Sequence, residues 1–411
     1  DLAYAFGFSK QGFRDRWLRF AEDIDRLAKR KWETGSRSVY NSLSQLRDHG
    51  LAPLHESRLK RAEMAARLAA YEANEPVATD GRGSLVKAAA SFAAIDSFVD
   101  WARFNLAWGD SQPEVAEVYG RLARRRAKVR IEEQIALGDR LRLWHADNEK
   151  GSTGLVPIEN AVETWVAPLA EQHPVLLLVM DGMSYPAFHQ LSRSFVGSGW
   201  LPQQKDGQAF PSSVLSVLPS VTERSRWALF SGKIETGSRK GEEVAFREHP
   251  ALSDLRSRGK PLLFKKGDLG SEDSAALSPK VRDILAGNEH RVVAVVINAI
   301  DDQLKTSGQL SVDWAIHHIG ILPSILEAAD QGDRLIVLTS DHGHIPEMEN
   351  TKPIETSSDG EARFRFGEPS DENERLFTGK RIEAATGGRP VVLPLTETIR
   401  YGSKSAGYHG G

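Results

Sequence analysis

Val175-Leu-Leu-Leu-Val-Met-Asp-Gly182 sets six apolar residues in a row before a carboxylate and a turn former. So short an unbroken run, ending in turn chemistry, has the length of a strand buried on both faces. Two more runs follow the same plan. Arg291-Val-Val-Ala-Val-Val-Ile297 leads into Asn298-Ala-Ile-Asp-Asp302, and Arg334-Leu-Ile-Val-Leu338 into Thr339-Ser-Asp-His-Gly-His344. Apolar strands separated by helical stretches predict an α/β fold, a largely parallel sheet with helices on both faces. Ligands of such sheets sit outside the carboxyl ends of the strands. Three acidic strand ends would therefore meet at one site.

Upstream the periodicity is different. Trp17, Phe20, Ala21, Ile24, Leu27 and Ala28 recur at spacings of three and four, and Val118, Leu122, Val129, Ile135, Leu141 and Trp144 continue the pattern. These spacings predict amphipathic helices, and so an all-helical domain over residues 1–150. Turn formers in Asn148-Glu-Lys-Gly-Ser-Thr-Gly154 mark its boundary with a second domain over 155–411. Residues 346–389 are rich in Glu, Ser, Gly and Thr and are expected to form an irregular excursion from the sheet. The first residue is Asp1 and the last two are Gly410-Gly411 in mid-motif, so the chain reads as a truncated piece of something longer.

Composition limits the chemistry. The chain has 411 residues, 40% apolar and 27% charged, with no cysteine. Disulfide frameworks and thiolate metal sites are thereby excluded, and any metal must be held by oxygen and imidazole. No apolar run approaches the roughly 20 residues of a membrane span. Nothing at the start reads as a secretory signal, which points to the cytoplasm. Residues 1–150 hold 26 Lys and Arg against 22 Asp and Glu, and the remainder 27 against 34. The basic run Arg121, Arg124, Arg125, Arg126, Lys128 and Arg130 is either a solvated helix face or a surface for a polyanion.

Asp341-His342-Gly343-His344 is the strongest local signal. Carboxylate and imidazole at a frayed strand end can turn toward one cation, with Gly343 relaxing the backbone. Otherwise Asp341 caps a helix and His342 lies at the surface. Asp181 shares the strand-end position. Thr222, in Leu218-Pro-Ser-Val-Thr-Glu-Arg-Ser-Arg-Trp-Ala-Leu-Phe-Ser-Gly232, opens a helix-like run, where an anion is favoured. Its hydroxyl is either a metal-activated nucleophile or a helix cap, and Ser220, Ser225 and Ser213 are its rivals. Asp301 and Asp302 are a second ligand set or a solvated loop. His409 is a late ligand flanked by glycines or a structural histidine.

Taken as an ordered set, strand-Asp, Thr at a helix start, strand-Asp, strand-Asp-His and late His, these residues resemble the alkaline phosphatase superfamily. Val175–Ser184, Leu218–Gly232, Asn298–Leu304, Thr339–Ile345 and Arg400–Gly411 are similar more narrowly to the PglZ family of the phage growth limitation and BREX anti-phage defence systems. The resemblance implies an alkaline-phosphatase-like core bearing divalent metal ions, zinc or manganese, one or two per chain. Asp181, Thr222, Asp341 and His342 would form one site, with Thr222 as nucleophile, and Asp301 and His409 would contribute to a second. The superfamily has His four residues after the second strand's Asp. Here Lys305 and Thr306 stand four after Asp301 and Asp302, so the second site is expected to be poorer, with water or His344 filling it, or Lys305 serving a phosphate instead. The implied activity is a phosphodiesterase or nuclease-like hydrolase acting on nucleic acid or nucleotide, alongside other defence proteins and without a membrane. A structural or binding subunit, and a phosphomonoesterase or phosphomutase, are the alternatives.

Overall fold

The computed structural model describes residues 7–29, 36–74, 84–146, 155–203, 212–235, 241–270, 276–306, 314–348, 350–356, 358–405 and 407–409. The boundary segment 148–154, the side chain of Lys305 and Gly410-Gly411 lie outside them. The chain divides into two compact units, Asp1–Ala136 and Leu137–Gly411.

In the first unit the described elements are helices, among them Lys10–Lys29, Ser36–Arg47, Glu56–Ala73 and Ser97–Ala107. Trp17, Phe20, Ala21, Ile24 and Leu27 are all buried in one core. That is the stripe their spacing predicts, because residues three and four apart share a helix face. Helix α1 (Pro113–Ala146) runs for 34 residues, and its last ten belong to the second unit. Val118 and Leu122 are buried on it, whereas Val129 is exposed.

The basic run on α1 is divided: Arg121, Arg124, Arg125 and Lys128 are exposed, whereas two of its members turn inward. Arg126 and Arg130 are buried. Arg126 pairs with Glu72 and Glu133, Arg130 with Asp100 and Glu133, and Arg121 with Asp25 and Glu117. Charges this deep persist only when partnered, and the acids come largely from neighbouring helices.

The second unit is built on a four-stranded parallel sheet of β1 (Val175–Met180), β2 (Leu262–Phe264), β3 (Val292–Ile297) and β4 (Leu335–Thr339), in the order β2-β3-β1-β4. The period-two pleat divides β1 between two cores. Leu176, Leu178 and Met180 face helices α2 (Tyr185–Gly197), Pro279–Ala286 and Leu322–Gln331. Val175, Leu177 and Val179 face Val162–Gln172 and α3 (Thr222–Ser231). Every residue of β1 and β3 is buried. The third apolar run, β4, is only half-buried, because it is an edge strand.

A different organisation replaces the expected irregular excursion. Strand β5 (Ile345–Pro346) comes first, followed by β6 (Gly360–Glu361), β7 (Phe364–Arg365), β8 (Glu374–Phe377) and β9 (Val391–Pro394). The last four make an antiparallel sheet in the order β8-β9-β7-β6. Buried Arg365 and Glu374 pair within it, and the tyrosine hydroxyl of Tyr401 donates to the same carboxylate. The polar composition that reads as loop is thus partly internal ion pairing. No helix among the described residues is long and apolar enough to cross a membrane.

Candidate active site

Each strand of the parallel sheet delivers a polar group at its carboxyl end. Asp181 follows β1, Asn298 follows β3, Ser340 and Asp341 follow β4, and Lys265 follows β2. Gly182, next to Asp181, has φ of 73°, a left-handed turn that glycine alone adopts without strain. Gly343 has no such backbone, so the relaxation expected after Asp341 is found after Asp181 instead.

Asp181, Asp341 and His342 are buried, and one potential ligand atom from each lies within 4.8 Å of the others. Thr222 joins them. Its Oγ1 is 2.8 Å from His342 Nε2 and 3.4 Å from Asp181 Oδ1. His342 Nε2 is 3.4 Å from Asp181 Oδ1 and 3.8 Å from Asp341 Oδ2. Thr222 opens helix α3, but the residue in the capping position is Val221 and no side chain caps that end. Among the rivals, Ser225 donates to the Val217 carbonyl and Ser213 accepts from Tyr185.

The remaining atoms of these side chains are engaged in ways that leave one donor atom each turned inward. Asp341 Oδ1 accepts from the N–H groups of Gly182 and His342, at 3.2 and 2.9 Å. Asp341 Oδ2 is buried without a hydrogen-bond partner among the described residues, on a side chain with 0% exposure. A desolvated carboxylate oxygen left in that state is costly. Asp181 Oδ2 accepts from Arg226 at 3.0 Å and from Asn298, leaving Oδ1 toward Thr222. His342 Nδ1 lies 2.8 Å from the Gly343 carbonyl, which can only accept, so Nδ1 carries hydrogen and Nε2 is the nitrogen facing the cluster. Ligands of a tetrahedral ion at about 2.0–2.1 Å stand about 3.3–3.4 Å apart. The donor set, two carboxylates, an imidazole and a hydroxyl, therefore fits a hard or borderline divalent cation in chemistry, and its separations of 2.8 to 3.8 Å bracket that spacing.

Electrostatics agree with that fit. Burial raises the Asp341 carboxyl to well above the carboxylate range, and nearby Asp181 adds to the rise. Burial also opposes the Asp181 charge, but His342 and Arg226 outweigh it and hold that carboxyl low. Burial would lower His342, yet the two carboxylates push it up to about 9.

Asp301 and His409 adjoin this cluster but are not part of the Asp181–Asp341–His342 group. Asp301 is buried in the first turn of helix α4 (Ala299–Thr306), with Oδ1 3.8 Å from His409 Nε2. Asp302 instead pairs with Lys266 at 3.2 Å, near the surface. His409 arrives on β10 (Gly407–Tyr408), antiparallel to β5 with Tyr408 opposite Ile345. That register puts His409 beside His344, and its ring centroid is 5.0 Å from that of His342. His344 Nδ1 lies 2.8 Å from the Gly182 carbonyl. Burial, and after it His342 and His409, hold His344 below the usual histidine value against that hydrogen bond.

Sequence reasoning passed over Arg226, Asn298, Glu242, Lys265 and Lys266. A cleft of about 320 Å³ is lined by Arg226, Lys265, Lys266, Gly267, Asn298, Asp301 and Asp302. Two of these were findable. Arg226 is four residues after Thr222, hence on the same helix face, and Asn298 directly ends an apolar strand where the neighbouring strands end in Asp or lead to it.

No curated protein matches the chain. A family model described as the BREX system PglZ alkaline phosphatase-like domain matches residues 162–402, which contain the whole sheet and the Asp181–Thr222–Asp341–His342 cluster, and the chain belongs to that PglZ family.

Proposed function

We propose that this chain is a metal-dependent phosphoric-ester hydrolase of a BREX defence system, acting on phosphodiesters, with Thr222 as nucleophile. The observation that carries the reading is the buried convergence of Thr222 Oγ1 with Asp181 Oδ1 and His342 Nε2 beside the unpartnered Asp341 Oδ2. These four residues would hold a divalent cation, zinc or manganese, which when bound supplies Lewis-acid polarisation and eases loss of a hydroxyl proton. Thr222 is held with its oxygen toward the cluster, at the N-terminal end of a ten-residue helix whose dipole favours a phosphoryl group. Its oxygen attacks phosphorus as its proton passes to solvent, and the ester oxygen opposite departs and takes up a proton to leave as an alcohol. Water then cleaves the Thr222–O–phosphoryl ester, restoring the hydroxyl and releasing a phosphomonoester. The cations Arg226, Lys265 and Lys266 in the adjoining cleft suit the anionic flank of a diester. Membership of a BREX family implies other defence-system proteins as partners. The same reading makes residues 1–150 a helical domain ahead of a core over 155–411. The burial and ion pairing of Arg126 and Arg130 take those two cations away from the non-catalytic, polyanion-binding alternative.

The test is turnover of bis(p-nitrophenyl) phosphate and p-nitrophenyl phosphate with added Mn²⁺ or Zn²⁺. Diester turnover that stops with chelator is expected. Thr222→Ala should lower kcat by roughly 10³-fold while circular dichroism stays unchanged, since an activated nucleophile accounts for several kcal/mol of barrier, about 1.4 per decade. Near-full activity of the variant would leave Thr222 without a chemical role.

A further inference from the structure

We infer that Glu242, acting through Arg226, is a positioning residue for Asp181, and that this strut decides how tightly the centre holds its cation. The inference rests on the hydrolase reading above. Arg226 lies one helical turn after Thr222 and reaches the same cluster. Its Nη1 donates to Asp181 Oδ2 and its Nε donates to Glu242 Oε1, each at 3.0 Å. Asn298 donates to the same Oδ2 from the end of β3. With Oδ2 occupied twice, Asp181 can turn only Oδ1 toward Thr222 and His342. The carboxylate cannot rotate without breaking both bonds.

Glu242 makes that arrangement compatible with a cation. Arg226 is 4% exposed and Glu242 is 1% exposed, so neither charge is screened by water. A lone guanidinium beside Asp181 would repel an arriving cation and would be free to swing. Glu242 cancels the charge and fixes the plane of the fork. It comes from the helix Glu242–Arg247, and its other oxygen lies 3.7 Å from Lys265 Nζ at the cleft. Glu242 thus stands behind Arg226 as Arg226 stands behind Asp181. Outer partners of this kind change metal affinity by about 10–100-fold when removed.

The test is calorimetric titration of the full chain with Mn²⁺ alone, so the readout does not depend on turnover. Glu242→Gln keeps the shape and removes the charge. It is expected to raise the Mn²⁺ Kd by about 10–100-fold, with a metal-free melting curve that remains cooperative. Combining it with Arg226→Gln should add little to the larger single effect, because both act through one chain of contacts. If Glu242→Gln fails to fold, Arg226→Lys takes its place: lysine keeps the charge but cannot bridge Asp181 and Glu242 together, and the same weakening is expected. Unchanged Mn²⁺ affinity overturns the proposal. So does unchanged affinity with a raised KM for bis(p-nitrophenyl) phosphate, which would make Arg226 a substrate contact. A parent chain that takes up no Mn²⁺ overturns the hydrolase reading itself, and the strut with it.

Discussion

His342 sits between two buried carboxylates, and its proton is what a cation must displace. Burial opposes the imidazolium, but Asp341 and Asp181 prevail and lift it to about 9. The folded, metal-free chain therefore holds a proton that the unfolded chain releases near 6.5. That contribution to stability is complete below about 6.5 and is lost as pH climbs through about 9. Metal uptake at a pH of about 7.5 should accordingly release protons, seen as an enthalpy that varies with the buffer's ionisation heat. Affinity should rise with pH up to about 9 and then level off. A buffer-independent heat would mean that Nε2 is not the displaced donor. Asp341 and His342 were legible as candidates because carboxylate and imidazole stand adjacent after a strand. Which atom of each faces inward was not legible, since the Gly182 N–H and the Gly343 carbonyl decide that through the folded backbone.

At the scale of elements, helix α1 shows how a basic run can divide between surface and interior. Six basic residues between 121 and 130 resemble a polyanion-binding stripe, yet Arg126 and Arg130 are buried against Glu72, Glu133 and Asp100. The helix itself was predictable from its local period. The acids that neutralise it lie up to 96 residues away, as Asp25 does from Arg121, and no local pattern reports them. Removing one partner of a buried pair strands the other. Arg126→Ala is therefore expected to destabilise the helical unit by about 3–5 kcal/mol, read from the urea midpoint by circular dichroism. A loss below about 1 kcal/mol would place the pair among surface bridges of little weight.

On the scale of the whole molecule, the centre gathers residues from 181 to 409 because the parallel sheet ends point one way and the β5–β10 pairing carries His409 back to them. Asp301 and His409 stand 3.8 Å apart outside the Asp181–Asp341–His342 group, and the imidazole four residues after Asp301 is missing. Fewer protein ligands leave water to complete a second site, so its affinity should be lower. A titration with Zn²⁺ is expected to show one tight step and one weaker step, with His409→Ala removing only the weaker. Two equally tight steps, or a weaker step that survives His409→Ala, would count against this assignment.

From the sequence alone came the parallel sheet, the helices of the first unit and the strand-end candidates Asp181, Asp341 and His342, to which the family resemblance added Thr222. These depend on short-range physics: apolar runs that must be buried, a 3.6-residue period, and residue types whose chemistry is fixed. The tertiary structure alone decided that β4 is an edge strand, that residues 360–394 form an antiparallel sheet, and that Arg226, Glu242 and Asn298 hold Asp181. It also decided that Arg126 and Arg130 of the basic run are internal. All of these depend on which partners lie across space from a charged or polar group, and in a buried site the partner determines whether that group is a ligand, a strut or a surface charge.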